Sequence, residues 1–160
     1  MLSLPTSRVV IVIAKFITAA YWAMALILLA FVLMLGIGAA LQLPGWSSAT
    51  SMHGLTLLLG TGALTILTCI PFALMASVTR GYLPAVGGMF LVLVLAQIIN
   101  QIGYGQYFPW NIPMMYSGAA QALSGKTAAP LGFVSYLLVI LVGVISIIVT
   151  GAWWRYADQT

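Results

Sequence analysis

The chain has 160 residues, of which 63% are hydrophobic and only 4% are charged. An ordinary soluble domain has about a quarter of its residues charged, so this composition excludes a soluble globular fold. It also excludes most acid–base, metal-cluster and Ser-His-Asp chemistry, because the chain has one acidic residue, one histidine and one cysteine. The sequence therefore predicts an all-α integral membrane protein.

Four apolar stretches follow one another along the chain. Each is long enough to cross a hydrocarbon layer of about 30 Å, which takes about 20 helical residues. The predicted spans are about 16–41, 54–78, 83–102 and 131–154. The connection between the second and third spans is so short that these helices should be antiparallel neighbours. No second domain is expected, and residues 1–160 form a single membrane domain.

The basic residues predict how the chain is oriented. Arg8 and Lys15 precede the first span, Arg80 lies between the second and third, Arg155 follows the fourth, and only Lys126 falls on the other side. By the positive-inside rule, both termini are cytoplasmic and the protein is a multi-pass protein of the cell's inner (plasma) membrane. The net charge of +4 is scattered along the chain, so nucleic-acid binding is not expected.

The outer segment between the third and fourth spans is long and almost uncharged, yet it remains apolar and aromatic. Pro109 and Pro113 prevent one continuous helix, because proline has no N–H to donate and its ring clashes with the preceding turn. A solvated loop would be more polar. This segment is therefore predicted to lie in the outer interface or to re-enter the membrane.

Three amides lie on one face of the third span, Gln97, Asn100 and Gln101. Amides without partners are costly in hydrocarbon, so they should face other helices or a wet cavity. They either hydrogen-bond neighbouring helices and headgroups or line the outer part of a substrate pathway.

Two further features concern helix shape and packing. Pro71 lies inside the second span and predicts a kink, which is either a matter of shape or a hinge. In the last span Ser135, Gly143, Ser146 and Thr150 share one sector of the helix, which predicts close packing against another helix.

Two ordered motifs carry a resemblance to a known family. The run Arg80–Val86 reads R-G-Y-L-P-A-V, Gln97 follows, and Gly103–Pro113 reads G-Y-G-Q-Y-F-P-W-N-I-P. Together with Leu4–Arg8 and Lys15-Phe16, they resemble the type-2 ABC transporter permeases of the bacitracin-resistance and lantibiotic-immunity kind. The resemblance covers about residues 4–116, and its most specific part is Y-F-P-W-x-I-P.

The resemblance implies roles for particular residues. The ATPase-contact candidates are Arg8, Lys15, Arg80 and Tyr82, although the basic ones also serve as topology anchors. The outer gate candidates are Tyr107, Phe108, Pro109, Trp110 and Pro113, with simple interfacial anchoring as the alternative for Phe108 and Trp110. Such permeases usually have six spans, and this chain corresponds to the last four, so it is expected to be a truncated six-span permease.

The function implied is that of a permease subunit in an ABC exporter. The chain has no nucleotide-binding motif, so it is expected to be a transport subunit, not an enzyme, with no cofactor of its own. Its partners would be a separate ABC ATPase, a second permease protomer and the lipid bilayer. The cargo would be an amphipathic peptide, an antibiotic or a lipid-like molecule. The alternative is a four-span accessory or structural membrane protein that binds partner helices without transport.

Overall fold

The computed structural model describes residues 8–42, 47–79, 81–124 and 130–156. These residues form only helices and turns, with no β-strand among them. Four helices are long and apolar enough to cross a membrane, which confirms the predicted fold class. The long helices are α1 (Arg8–Ala40), α2 (Ser48–Thr79), α3 (Tyr82–Ile102) and α6 (Phe133–Tyr156), and the short ones are α4 (Ile112–Tyr116) and α5 (Ala119–Ser124).

The first two long helices begin earlier than their apolar stretches. Helix α1 starts at Arg8, so Lys15 lies within it, and α2 starts at Ser48. Ser47 caps α2, because its hydroxyl oxygen accepts a hydrogen bond from the Thr50 N–H at 3.1 Å. Hydropathy marks the apolar part of a helix, whereas backbone hydrogen bonds and caps set its ends. This is why the helices extend beyond the apolar runs.

Helix α2 is the centre of the bundle. It packs most extensively against α6 and also contacts α1, α3 and α4, while α1 contacts α6. Its buried residues include Gly62, Thr68 and Ile70. The connection from Thr79 at the end of α2 to Tyr82 at the start of α3 is short. It makes the two helices neighbours, as the sequence predicted.

The packing face predicted for α6 is confirmed. Ser135, Gly143, Ser146 and Thr150 are all buried, whereas most of the other α6 residues are more exposed. A Cβ atom at Gly143 would lie 3.0 Å from Cδ2 of Leu67 in α2. Small residues on this face therefore allow α2 and α6 to approach closely, which is how helices associate in a membrane without a hydrophobic driving force between them.

The hydroxyl groups of α2 are satisfied within the helix. Thr61 donates to the Leu57 carbonyl at 2.7 Å, and Ser77 donates to the Ala73 carbonyl at 2.8 Å. Side chains that bond to the carbonyl one turn back need no water or partner helix. Helix α2 can therefore lie in an apolar environment despite its many threonines.

One end of the bundle carries the beginning of α1, the end of α2 and the end of α6. The side chains of Lys15, Ser77 and Trp154 line one cavity there. Because α3 follows α2 directly, its first residue, Tyr82, belongs to the same end. We call this the inner end of the bundle and the opposite one the outer end.

Candidate functional site

The candidate site is built by a segment that turns back into the bundle after α3. Gly103 adopts the left-handed conformation, with φ of 94°, and closes the helix. Its N–H donates to the Asn100 carbonyl, and the Tyr104 N–H donates to the Ile99 carbonyl, both at 3.2 Å. This pair of bonds ends a helix and reverses the chain, and glycine adopts the required φ without strain. We refer to residues 103–124 as the fold-back segment.

Prolines shape the local structure of the fold-back segment. Two 3₁₀ turns, Gly105–Tyr107 and Pro109–Asn111, lead directly into α4. Pro109 and Pro113 both occupy the first turn of their elements, where a missing N–H costs nothing. A second glycine with positive φ, Gly118 at 76°, separates α4 from α5. The sequence therefore gives a chain of short turns where one long helix is not possible.

Trp110 anchors the fold-back segment to α2. Its indole N–H donates to the Thr68 backbone carbonyl at 2.9 Å. Its ring lies near Phe72 and Phe108, with centroid distances of 6.1 and 5.3 Å and tilted planes. Such tilted pairs are favourable arrangements for aromatic rings. Trp110 is thus held by both a hydrogen bond and ring packing.

Asn111 provides a second anchor, on α3. Its side-chain amide donates to the Ala96 carbonyl at 2.9 Å, and Asn111 is only 4% exposed. A buried amide is tolerated in such a place because it is hydrogen-bonded. Neighbouring residues of the segment thus bond to the backbones of two different long helices.

The contacts of the segment show how deeply it enters the bundle. At 1.5 Å per residue, the Thr68 carbonyl lies about 17 Å along α2 from its inner end at Thr79. Tyr116 packs against Gly60, which lies about 29 Å from the same end. The chain therefore runs from the outer end toward the middle of the bundle and comes closest to the inner end near Trp110. It then returns toward the outer end through α4.

Two glycines make room for the fold-back segment. A Cβ atom at Gly60 would lie 2.5–2.7 Å from ring atoms of Tyr116, and one at Gly105 would lie 2.6 Å from Oδ1 of Asn100. Both distances are too short for any larger residue without displacement. Tyr116 in turn meets Tyr136 of α6 edge-to-face at 6.4 Å. The segment is therefore enclosed by α2, α3 and α6.

The gate candidates differ in how they are placed. Pro109 and Pro113 are buried, Phe108 and Trp110 are half-buried, and Tyr107 is exposed. All five belong to the fold-back segment. The structure thus brings the predicted set together, with Trp110 making the deepest contact.

Sequence reasoning gave no gate or pathway role to three residues that complete this site. They are Gly60, Asn111 and Tyr116. Asn111 carried a signal, since it is a polar residue within an apolar segment, whereas Gly60 indicated only that a neighbour can approach closely, not which one. Its role depends on a contact between residues far apart in the chain.

The three amides of α3 do not share one environment. Asn100 is half-buried and lies against Gly105, whereas Gln97 and Gln101 are exposed. Asn100 therefore contacts the fold-back segment at Gly105. The other two project from the surface of α3.

The ATPase-contact candidates lie at the inner end as far as the structure describes them. The Lys15 ammonium lies 5.5 Å above the ring of Trp154, and Tyr82 is 79% exposed. Arg8 begins α1, but its side chain lies outside the described residues, as does the whole of Arg80. The two described candidates therefore belong to the same end of the bundle.

Helix α2 runs through the hinge candidate Pro71 without interruption. Pro71 has no N–H, so the carbonyl of Leu67 loses its intrahelical donor. The Thr68 hydroxyl donates to the Thr65 carbonyl at 2.9 Å, while the Thr68 carbonyl receives the indole of Trp110. The fold-back segment is thus bonded to α2 within the turn where Pro71 removes one backbone hydrogen bond.

Within the described residues there is no group of three or more histidine, cysteine, aspartate or glutamate side chains that could hold a metal ion. The fold-back segment contributes mainly aromatic, proline, isoleucine and methionine side chains, with single amides among them. Such an arrangement can pack, move or make way for an apolar or amphipathic molecule.

Fold and site together define a multi-pass helical membrane protein with a segment folded back into its bundle. A model of the family described as ABC-2 family transporter protein matches residues 1–97. The chain therefore belongs to the ABC-2 family of transporter proteins. The match ends before the fold-back segment begins.

A relative of known name extends the comparison. The chain is 25% identical over 111 residues to the bacitracin transport permease protein BCRB of Bacillus licheniformis, covering 69% of this chain and 53% of the relative. The chain thus spans about half the length of this relative. No solved structure matches the chain.

Proposed function

We propose that the chain is the membrane subunit of an ABC exporter and that a separate ATPase supplies the energy. The observation that carries this proposal is the family match over residues 1–97. The absence of a nucleotide-binding motif from the sequence supports a separate ATPase chain. The inner end is cytoplasmic in this proposal, because Arg8, Lys15, Arg80 and Arg155 all belong to it by chain order.

The proposed cargo is an amphipathic peptide, an antibiotic or a lipid-like molecule. The relative is named as a bacitracin transport permease, which supports the antibiotic class. The site supports it too, because aromatic and amide side chains suit an amphipathic molecule, whereas a bare ion would require charged groups within the membrane. No aspartate, glutamate or arginine lies between residues 81 and 154.

The fold-back segment is the proposed outer gate. It occupies the space between α2, α3 and α6 and is bonded to α2 beside Pro71, where α2 lacks one backbone hydrogen bond. Cargo leaving toward the outer side must pass this segment or displace it. Bending of α2 at Pro71 is the proposed movement that would release it.

A second permease protomer is proposed to cover α3. Gln97 and Gln101 are exposed on this helix, next to apolar side chains such as Val94 and Ile98. Amides facing lipid are costly, so a partner helix or a wet pathway between two protomers should cover them.

The test of this proposal is purification together with an ATPase, followed by an efflux assay. A tagged chain expressed with a candidate ABC ATPase from the same genome should retain that ATPase in mild detergent. Cells should also become more resistant to bacitracin-like peptides. If the chain instead co-purifies with other membrane proteins but not with the ATPase, and resistance does not rise, the result would indicate the four-span accessory protein.

A matched pair of variants tests the gate. Trp110→Ala should lower resistance while leaving membrane insertion intact, because it removes the bond to Thr68 and two ring contacts. Trp22→Ala is the control, since Trp22 is 63% exposed on α1. Equal resistance in the two variants would contradict a gating role for the segment.

A further inference from the structure

Three cavities formed by the described residues lie along the part of α1 nearer the inner end. The largest, about 510 Å³, is an open one lined by α1 residues alone, Lys15 and Ala19 among them. The other two adjoin each other and face the rest of the bundle. One has a volume of about 240 Å³ and reaches the inner end at Lys15 and Trp154. The other has about 300 Å³ and continues between α1 and α2 as far as Ile27 and Gly62. Phe16, Ala19 and Ala73 line both cavities. Together the cavities form one groove, which we call the α1–α2 groove.

The inner end of the groove is cationic. The Lys15 ammonium lies 5.5 Å above the Trp154 ring, and none of the described residues has a carboxylate side chain. The two hydroxyls nearby are already used, since Ser77 donates to the Ala73 carbonyl and Thr150 to the Ser146 carbonyl. Among the described residues that line this cavity, Lys15 is therefore the charged group able to bind an anion.

The rest of the groove is apolar and narrow. From Lys15 to Ile27 it runs about 18 Å along α1, close to the roughly 15 Å depth of one leaflet. The two cavities together have about 540 Å³, which over that length gives a cross-section of about 30 Å². A helix with its side chains is about 10–12 Å wide and therefore has a cross-section of about 80–110 Å². The groove fits a single hydrocarbon chain and is too narrow for a transmembrane helix.

We propose that the α1–α2 groove binds one acyl chain of an anionic phospholipid, with the headgroup phosphate at Lys15. A cation at the membrane surface attracts anionic headgroups, and the apolar groove offers the chain a protein wall on two sides. The charge balance supports an anionic lipid, because the sequence has five basic residues and one acidic residue. This binding requires neither an ATPase nor cargo, so it is independent of the proposed transport.

The experiment is native mass spectrometry of the whole chain released from nanodiscs. The discs contain equal amounts of phosphatidylglycerol and phosphatidylcholine, and the readout is the lipid that stays bound. Wild type should retain one phosphatidylglycerol in preference to phosphatidylcholine. Lys15→Gln should lower that preference about fivefold, the size expected for one basic residue at an anionic surface, and Lys15→Arg should keep it.

Two controls separate headgroup and chain recognition from general effects. Lys126→Gln removes the same charge elsewhere and should leave the preference unchanged. Ala19→Leu fills the lining shared by both cavities and should reduce retention of either lipid, whereas Ala30→Leu, on the exposed side of α1, should not. Thermal unfolding of each variant checks that its fold is intact.

Three results would overturn the proposal. Equal retention of both lipids by wild type would show that the groove has no site for the anionic headgroup. An equal loss of lipid preference in Lys15→Gln and Lys126→Gln would show that the preference depends on net charge and not on the position of Lys15. A dimer that Ala19→Leu dissociates without changing lipid retention would show that a second copy of the chain occupies the groove.

Discussion

The contact between Gly60 and Tyr116 gives the sharpest test of how the fold-back segment is held. Gly60→Ala would place a Cβ atom 2.5–2.7 Å from three atoms of the Tyr116 side chain, two in the ring and the hydroxyl oxygen, where ordinary contacts are 3.4–4 Å. The ring is rigid and also packs against Tyr136, so it must move by about 1 Å together with α4.

The magnitude follows from two opposing effects. Overpacking in a well-packed site costs about 1–3 kcal/mol, while replacing glycine by alanine within a helix contributes about 1 kcal/mol of stability. Gly60→Ala should therefore destabilise the chain by up to about 2 kcal/mol. Gly36→Ala is the matched control, because nothing lies within 4 Å of a Cβ atom at Gly36 of α1, and it should be neutral or stabilising.

The assay is the free energy of unfolding in mixed detergent micelles, measured as a double-mutant cycle. In a Tyr116→Ala background, Gly60→Ala should lose its cost, giving a coupling of about 1–3 kcal/mol. Tyr116→Phe removes the hydroxyl oxygen but keeps Cε1 and Cζ, at 2.5 and 2.7 Å from the added Cβ atom, so it should relieve much less of the cost than Tyr116→Ala. Equal effects of Gly60→Ala and Gly36→Ala would refute the docking of the segment on α2.

Three further predictions concern its other anchors and the α2–α6 contact. Trp110→Phe keeps a ring but removes the hydrogen bond to Thr68, and it should cost about 0.5–1.5 kcal/mol of unfolding free energy and lower efflux. Asn111→Ala removes a buried amide that is hydrogen-bonded to α3, and it should cost about 1–2 kcal/mol of unfolding free energy. An unchanged unfolding free energy would show that Asn111 does not anchor the segment. Gly143→Leu should destabilise the chain by more than about 2 kcal/mol, whereas Gly151→Leu, which meets nothing within 4 Å, should cost less than about 1 kcal/mol.

Much of the fold could be predicted from the sequence, because helices that cross a membrane must be apolar and hydropathy therefore indicates where they lie. The four long helices follow from apolar length, the α2–α3 pair from its short connection, and the buried face of α6 from the spacing of Ser135, Gly143, Ser146 and Thr150. Each of these depends on residues close in sequence. The early start of α1 could not be predicted from hydropathy, because a helix continues wherever its backbone bonds do.

The candidate site could be predicted only in part. Pro109 and Pro113 indicated that the segment after α3 is not one helix, and Trp110 was among the residues singled out. That Trp110 bonds to Thr68, and that Tyr116 needs Gly60, are contacts across 42 and 56 positions of the chain. Such pairs depend on how helices are arranged in space, which no local pattern in one sequence records.

Pro71 has a mechanical consequence for α2. Taken as a pivot, it divides the helix into an arm of about 12 Å toward Thr79 and one of about 35 Å toward Ser48. A push at the short arm, where an ATPase would act, is magnified about threefold at the far end of the long arm. Trp110 is bonded next to this pivot and would hardly move in such a bend, whereas Gly60, about 17 Å along the long arm, would move relative to Tyr116. If α2 bends at Pro71 as proposed, the contact at Tyr116 would therefore change before the bond at Trp110.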